Sequence, residues 1–138
     1  MDMDDFNTKI IEEFRANEGK VGGGFEGAPL LLLTTTGAKS GQSRIAPLAY
    51  LAVGERIFVF GSKAGATTHP DWIHNIRADS AVSIEVGTDR YDATATELDE
   101  PERGEIFASQ VTAMPGFAEY QENAGDRVIP VVELVRSA

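Results

Sequence analysis

The sequence predicts an α+β domain, mainly β, in which six antiparallel strands curl into a small barrel with helices packed outside. Three observations carry that expectation. The segments read in the order α, β, β, β, α, β, β, α, α, β. Consecutive strands are joined by turns too short for a parallel crossover, which excludes a βαβ nucleotide fold. Neither an internal repeat nor a dividing linker interrupts the 138 residues, so one domain over 1–138 is expected, with an N-terminal helix and connector at 1–20.

Each element has its own signal. Phe6, Ile10, Ile11 and Phe14 recur at helical spacing and predict a helix from about Asp4 to Asn17, fraying into Glu18-Gly19-Lys20. A glycine-rich connector, Val21 to Gly27, follows. Leu30 to Thr36 and Ser43 to Val53 read as strands, and Gly54-Glu55 turns the chain into a third, Arg56 to Gly61. In that third strand Ile57 and Val59 alternate with Phe58 and Phe60, so both of its faces are to be covered. Thr68-His69-Pro70-Asp71 predicts a helix start with Thr68 as N-cap, leading to a short helix that carries Trp72 and Ile76. Ala81 to Val86, a turn at Gly87-Thr88-Asp89, and Arg90 to Leu98 form a hairpin. Asp99-Glu100-Pro101-Glu102 reads as a capping box opening a helix to about Ala113. Pro115 to Asn123 is a second short helix, and Val128 to Val135 the closing strand.

Charge is unevenly placed. The chain carries a formal net charge of −10, which argues against nucleic acid. Between Gly27 and Pro70, however, the single acid Glu55 faces Lys39, Arg44, Arg56 and Lys63. A cationic island on an acidic protein suits a small anionic ligand. With no cysteine there is neither a disulfide framework nor thiolate chemistry, which fits a cytoplasmic setting. The acidic start, Met1 to Asp5, does not read as a signal peptide. Asp2, Asp4, Asp5, Glu12 and Glu13 on the first helix would be repelled by anionic lipid, so packing on the body of the domain or on a partner is expected.

Several motifs fail on context. Gly22-Gly23-Gly24-Phe25-Glu26-Gly27 matches G-x-G-x-x-G, yet it follows a helix and precedes a strand, the reverse of what dinucleotide binding requires. His69 and His74, five apart, would leave a helix on different faces, and no metal site is expected. Ser62 is no nucleophile elbow, since Phe60 stands where the first glycine should be. Two loops survive. Gly37-Ala38-Lys39-Ser40-Gly41-Gln42-Ser43-Arg44 and Gly61-Ser62-Lys63-Ala64-Gly65-Ala66 each end a strand with small residues, hydroxyls and cations. Such loops bring backbone N–H groups and charge to a phosphate or carboxylate.

"LLLLTTTGAKSGQSRIAPLAYL", "VFGSKAGATTHPDWIHNIRAD" and "DRVIPVVEL" together resemble the deazaflavin-dependent nitroreductase and quinone reductase family of actinobacteria, in that family's order and spacing from Gly23 to Leu134. The resemblance implies a split β-barrel of the FMN-binding-like kind and coenzyme F-420, a deazaflavin with a polyanionic ribityl-phospholactyl-oligoglutamate tail. By that resemblance Lys39 and Arg44 are the cations of a phosphate cradle, with Thr36, Ser40 and Gly41 as further donors. The ring would lie against Pro47, Leu48 and the Gly61-Ser62-Lys63-Ala64-Gly65 loop, and Trp72 and Asn75 match positions beside the cofactor. For Trp72, core packing is the competing reading.

The implied activity is hydride transfer to an electron-poor small molecule, a quinone or a nitro compound. Ser62 and Tyr120 are the candidate proton donors or orienters, with solvent as the alternative. Nitro-reducing members carry several tyrosines around the acceptor, where this chain has Ala49, Met114 and Phe117 and keeps only Tyr120. An apolar pocket of that kind suits a quinone. The competing readings are an FMN-dependent oxidoreductase on the same barrel and a non-catalytic carrier of a cofactor or lipid. Either a monomer or a dimer is compatible with the sequence, and contact at the inner membrane face is the less favoured use of the first helix.

Overall fold

The computed structural model describes residues 3–20 and 29–137; the connector and its G-x-G-x-x-G match lie outside the described residues. Helix α1 spans Met3–Ala16. Strands β1 (Leu30–Thr36), β2 (Ser43–Val53) and β3 (Arg56–Phe60) follow, then a single 3-10 turn at Lys63–Gly65 and helix α2 at Asp71–Ala78. The hairpin β4 (Ala81–Val86) and β5 (Asp89–Glu97), helices α3 (Glu102–Ala113) and α4 (Gly116–Asn123), and strand β6 (Val131–Arg136) complete the chain. The strands close a barrel in the order β1-β2-β3-β6-β5-β4, with every neighbouring pair antiparallel. Among the described residues no helix is long and apolar enough to cross a membrane.

The four leucines that open β1 serve two layers at once, because side chains on a strand alternate between faces. Leu31 and Leu33 point into the barrel, where they meet Val59, Val82, Ile84, Val132 and Leu134. Helix α2 closes one end of this interior with Trp72, Ile73 and Ile76. Leu30 and Leu32 point outward and lie beneath Ile10 and Phe14 of α1. Arg15 fastens the end of that helix to β4 by a two-pronged bond to Glu85, at 3.1 and 2.8 Å. On the far side Phe58 and Phe60, the outward residues of β3, pack under α3 and α4. Phe60 meets Phe107 and Phe117 edge-on, with ring centroids 6.2 and 5.7 Å away. Both faces of β3 are therefore covered, as its doubly apolar pattern requires.

Helix starts differ from the expected ones. Pro70 rather than Thr68 is the N-cap of α2, and no side chain caps it. The Thr68 hydroxyl accepts from the Lys63 ammonium at 3.3 Å instead. At α3 the N-cap is Pro101, and the acid that satisfies the helix start is Glu100, not Asp99: one Glu100 oxygen accepts from the Gly104 amide at 2.9 Å, the other from Arg103 at 2.8 Å. The closing strand starts three residues later than expected. Gln121 clamps the preceding segment, donating to the Arg127 carbonyl at 2.7 Å and accepting from the Ile129 amide at 3.0 Å, while Pro130 has no N–H for a ladder.

One seam in the barrel matters most. Strand β2 is eleven residues long, yet β3 pairs with it only from Tyr50 to Val53. Past Val59 the chain stays with β6 instead, pairing Phe60 with Val131 and sending the Gly61 amide to the Pro130 carbonyl at 2.9 Å. The Tyr50 amide donates to the Pro29 carbonyl, on the β1 side. By the two-residue alternation of a strand, Ile45, Pro47 and Ala49 therefore direct their backbone groups toward the edge that β3 has vacated. Proline, which has no N–H to waste, is tolerated on such an edge.

Truncating a fully buried barrel residue should be costly and truncating an exposed one should not. Leu33→Ala is expected to lose about 2–5 kcal/mol in urea unfolding, against within about 0.5 kcal/mol for Val128→Ala, whose side chain is 55% exposed. Equal midpoints for the two variants would contradict this placement of the core.

Candidate active site at the open seam

The loop between β1 and β2 is self-braced. The Gly37 amide donates to the Gln42 carbonyl at 2.8 Å, Gly41 donates back to the Gly37 carbonyl at 2.9 Å, and the Gln42 amide donates to the Ser40 hydroxyl. Gly41 sits at φ +70°, a conformation that glycine adopts without strain. From below, Asn75 of α2 ties the loop down. Its carbonyl oxygen accepts from the Ala38 amide at 2.9 Å and its amide donates to the buried Thr35 hydroxyl at 3.0 Å. Asn75 is itself buried, so it acts as an anchor for the cationic loop and does not face solvent.

Lys39, Ser40, Gly41 and Arg44 stand exposed on that anchored loop. Arg15, Arg56, Arg77 and Arg103 each hold a carboxylate, but among the described residues no carboxylate pairs with Lys39, Arg44 or Lys63. At the foot of the loop, Thr36 and Ser43 open onto a hydroxyl-lined hollow of about 430 Å³ shared with Thr34, Ser83, Asp92 and Thr94. Its one acid, Asp92, accepts from the Ser83 hydroxyl at 2.8 Å.

The second loop is organised by a residue the sequence reading did not single out. Arg127 reaches back across it and donates to the carbonyls of Gly61 (2.7 Å), Ser62 (2.8 Å) and Ala66 (3.0 Å). The same guanidinium meets Nδ1 of His69 at 2.9 Å. A guanidinium only donates, so Nδ1 carries the lone pair and the proton of the neutral ring sits on Nε2. No spacing signal could have revealed this contact, since 58 to 66 residues separate Arg127 from its partners. Lys63 is held at φ +47°, unusual for a side chain with a Cβ, and Gly65 at φ +82°. A Cβ on Gly65 would lie 2.9 Å from the Tyr120 carbonyl, so this loop and α4 touch backbone to backbone.

His69 and His74, expected on separate faces, come together. His69 precedes the helix, and the two rings meet edge-on at 6.1 Å. No group of metal-ligating side chains exists among the described residues.

The remaining candidates divide between the seam and the core. Ala49, Met114, Phe117 and Tyr120 all belong to the cluster beneath α3 and α4. Ala49 also touches the cluster under α1, which places it midway between the helices. Phe117 is buried and stacks edge-on with Tyr120 at 5.0 Å, so it supports Tyr120 from below. The Met114 sulfur accepts from Gln110 at 3.3 Å. Leu48, half-buried, turns toward the barrel interior and packs against its core, and Trp72, 6% exposed, packs into the barrel end. Pro47 lies on the outward, open-edge register of β2.

Burial and the Arg127 charge, in that order, push the His69 imidazole below its ordinary value of 6.5. A histidine held neutral in the fold stabilises it above about pH 6.5, and that contribution is lost as pH falls through the lowered folded value. The thermal unfolding midpoint of the protein should therefore drop on acidification below about pH 6.5. His69→Asn should flatten that part of the profile, and an unchanged profile would remove His69 from the account.

The barrel, its seam and both loops lie within one continuous match to known proteins. The sequence pattern of the F420H(2)-dependent quinone reductase family covers residues 8–136. An F420H(2)-dependent quinone reductase of Mycobacterium tuberculosis is 35% identical over 127 residues, 89% of this chain and 85% of that one. A solved F420-H2 dependent reductase is 40% identical, with a TM-score of 0.70 over 77% of this chain and 93% of its own. Another solved structure, described as a domain-swapped dimer, is 34% identical with a TM-score of 0.72, covering 96% of this chain and 99% of its own. Likeness that runs through every strand at this level of identity reflects common descent: the chain is a split β-barrel oxidoreductase belonging to the F420H(2)-dependent quinone reductase family.

Proposed function

We propose that the seam between β2 and β3 is where this chain holds reduced coenzyme F-420 and presents it to a quinone. One observation carries the assignment to the seam. Among the described residues, two loops bearing cations without carboxylate partners flank a strand edge that β3 leaves unpaired, in a protein whose overall charge is −10. The donor set fits the cofactor. Lys39 and Arg44 suit the phosphate and carboxylates of its tail, with Thr36, Ser40 and Gly41 supplying hydroxyl and amide donors. Pro47 and the Ser62-Lys63-Ala64-Gly65 loop suit the ring, whose polar edge calls for backbone donors. When bound, reduced coenzyme F-420 supplies a hydride.

The chain's own part is to place, shield and protonate. Ala49 and Met114 make an apolar wall that excludes water and suits a quinone ring. Tyr120 Oη lies on the acceptor side and would donate a hydrogen bond to a quinone oxygen, which gains a proton on reduction. Ser62 Oγ, in the ring-side loop, orients the cofactor. Phenols are too few here to orient a nitro group by several hydrogen bonds, which favours quinones over nitro compounds. The domain-swapped relative supports a dimeric form of this chain as well.

Titration with oxidised coenzyme F-420 and separately with FMN, followed by ligand fluorescence, tests the cofactor; preference for FMN would overturn it. Lys39→Ala should weaken the full cofactor by about tenfold or more, the loss expected for one charge-assisted contact, and leave the tail-less deazaflavin ring unaffected. Equal weakening of both ligands would take Lys39 off the tail. For the chemistry, reduced cofactor should be oxidised only when a menadione-type quinone is added, and Tyr120→Phe should cut kcat by roughly a hundredfold, the lower range for a lost proton donor. Absence of quinone-dependent oxidation would leave a carrier, not a reductase.

A further inference from the structure

We infer that Arg127 is a positioning residue: by drawing three carbonyls of the Gly61–Ala66 loop onto one guanidinium, it turns the consecutive N–H groups of Ser62 and Lys63 outward as a two-amide cradle for a ring carbonyl of the deazaflavin. The inference rests on the functional reading above. Its geometric basis is the trans peptide plane, in which C=O and the following N–H point in opposite directions. The Gly61 carbonyl faces Arg127 at 2.7 Å, so the Ser62 N–H in the same plane faces away. The Ser62 carbonyl faces Arg127 at 2.8 Å and also accepts from the Gly65 amide at 2.9 Å, so the Lys63 N–H faces away in its turn. Neither of those two amides donates to a backbone carbonyl among the described residues. Adjacent outward N–H groups form a concavity that accepts an oxygen carrying negative charge.

The loop does not adopt this shape cheaply. Lys63 at φ +47° is a conformation that persists only when its surroundings over-determine it. Arg127 does so by bonding on both sides of Lys63, to Gly61 and Ser62 before it and Ala66 after it. Its charge is uncompensated as well: its partners are three carbonyls and the neutral His69 ring, and among the described residues no carboxylate pairs with it. A positive charge directly behind two outward amides favours electron density on the oxygen in front of them. Lysine cannot replace this strut, because a single ammonium cannot span three carbonyls in fixed planar directions.

The test compares the wild type, Arg127→Lys and Lys39→Ala in fluorescence titrations with the full coenzyme and with the tail-less deazaflavin ring. Amide NMR of wild type with saturating ring accompanies them. Arg127→Lys should weaken both ligands by the same factor, tenfold or more, where Lys39→Ala weakens only the full coenzyme. In the wild type the Ser62 and Lys63 amide resonances should shift on ring binding. That second readout does not depend on how well the variant folds. Wild-type ring affinity in Arg127→Lys, or Ser62 and Lys63 resonances that stay in place at saturation, would overturn the role given to Arg127. If the wild type binds neither ligand, it is the assignment of the seam to coenzyme F-420 that falls.

Discussion

The seam on which the proposed site depends arises because the pairing of β2 with β3 stops at Tyr50 and Val59. Had the ladder continued to Ser43, the backbone groups of Ile45, Pro47 and Ala49 on that edge would have been taken up by β3. Instead β3 follows β6, and the residues that leave it form the Gly61–Ala66 loop. An unpaired strand edge is ordinarily a hazard, since it invites another strand. Here its exposure is limited by α1 on one side and α3 with α4 on the other, which leave β2 half-buried along Ile45–Leu51 and without a single fully buried residue.

Around that seam the division of labour is clear. Neither functional loop depends on its own residues alone. Asn75 holds the cationic loop from beneath by one donor and one acceptor, and Arg127 holds the Gly61–Ala66 loop from behind by bonds to three of its carbonyls, with a further contact to His69. Both anchors come from other elements, α2 and the segment before β6, and each has a buried neighbour: Ile76 in the barrel interior and Ile129 in the cluster beneath α3 and α4. Preorganisation of this kind would keep the exposed cations and amides ready for the proposed ligand without their collapsing onto the acidic surface around them.

Much of this was legible in the residues. Alternation in Leu30–Thr36 and the doubly apolar Arg56–Phe60 define strands and layers because both patterns follow from local geometry alone. The two small-residue loops stood out for the same reason: glycine, hydroxyl and cation lie side by side in the chain. What could not be read was anything carried by distant pairs. Thr68 and Asp99 look like caps locally, yet Thr68 is drawn to Lys63 and Glu100 reaches the helix start before Asp99 does. Trp72 packs into the barrel end, the core reading that its sequence context also allowed, and Leu48 turns toward the interior by strand alternation opposite Leu31. Arg127 is the plainest case, because its meaning lies wholly in partners some sixty residues away.

The close approach of Gly65 to the Tyr120 carbonyl has a bearing on how such an enzyme can change over generations. The backbone of the Gly61–Ala66 loop meets the backbone of α4 at Gly65 with no room for an added carbon. Insertions or shifts in α4 would push on the Gly61–Ala66 loop, the proposed ring cradle, whereas exchanges of side chain at Met114 or Tyr120 would leave that backbone contact in place. Diversification of acceptor preference on this scaffold is thereby channelled into side-chain replacement. On the proposed reading, the cofactor side would then stay fixed while the acceptor side is re-lined.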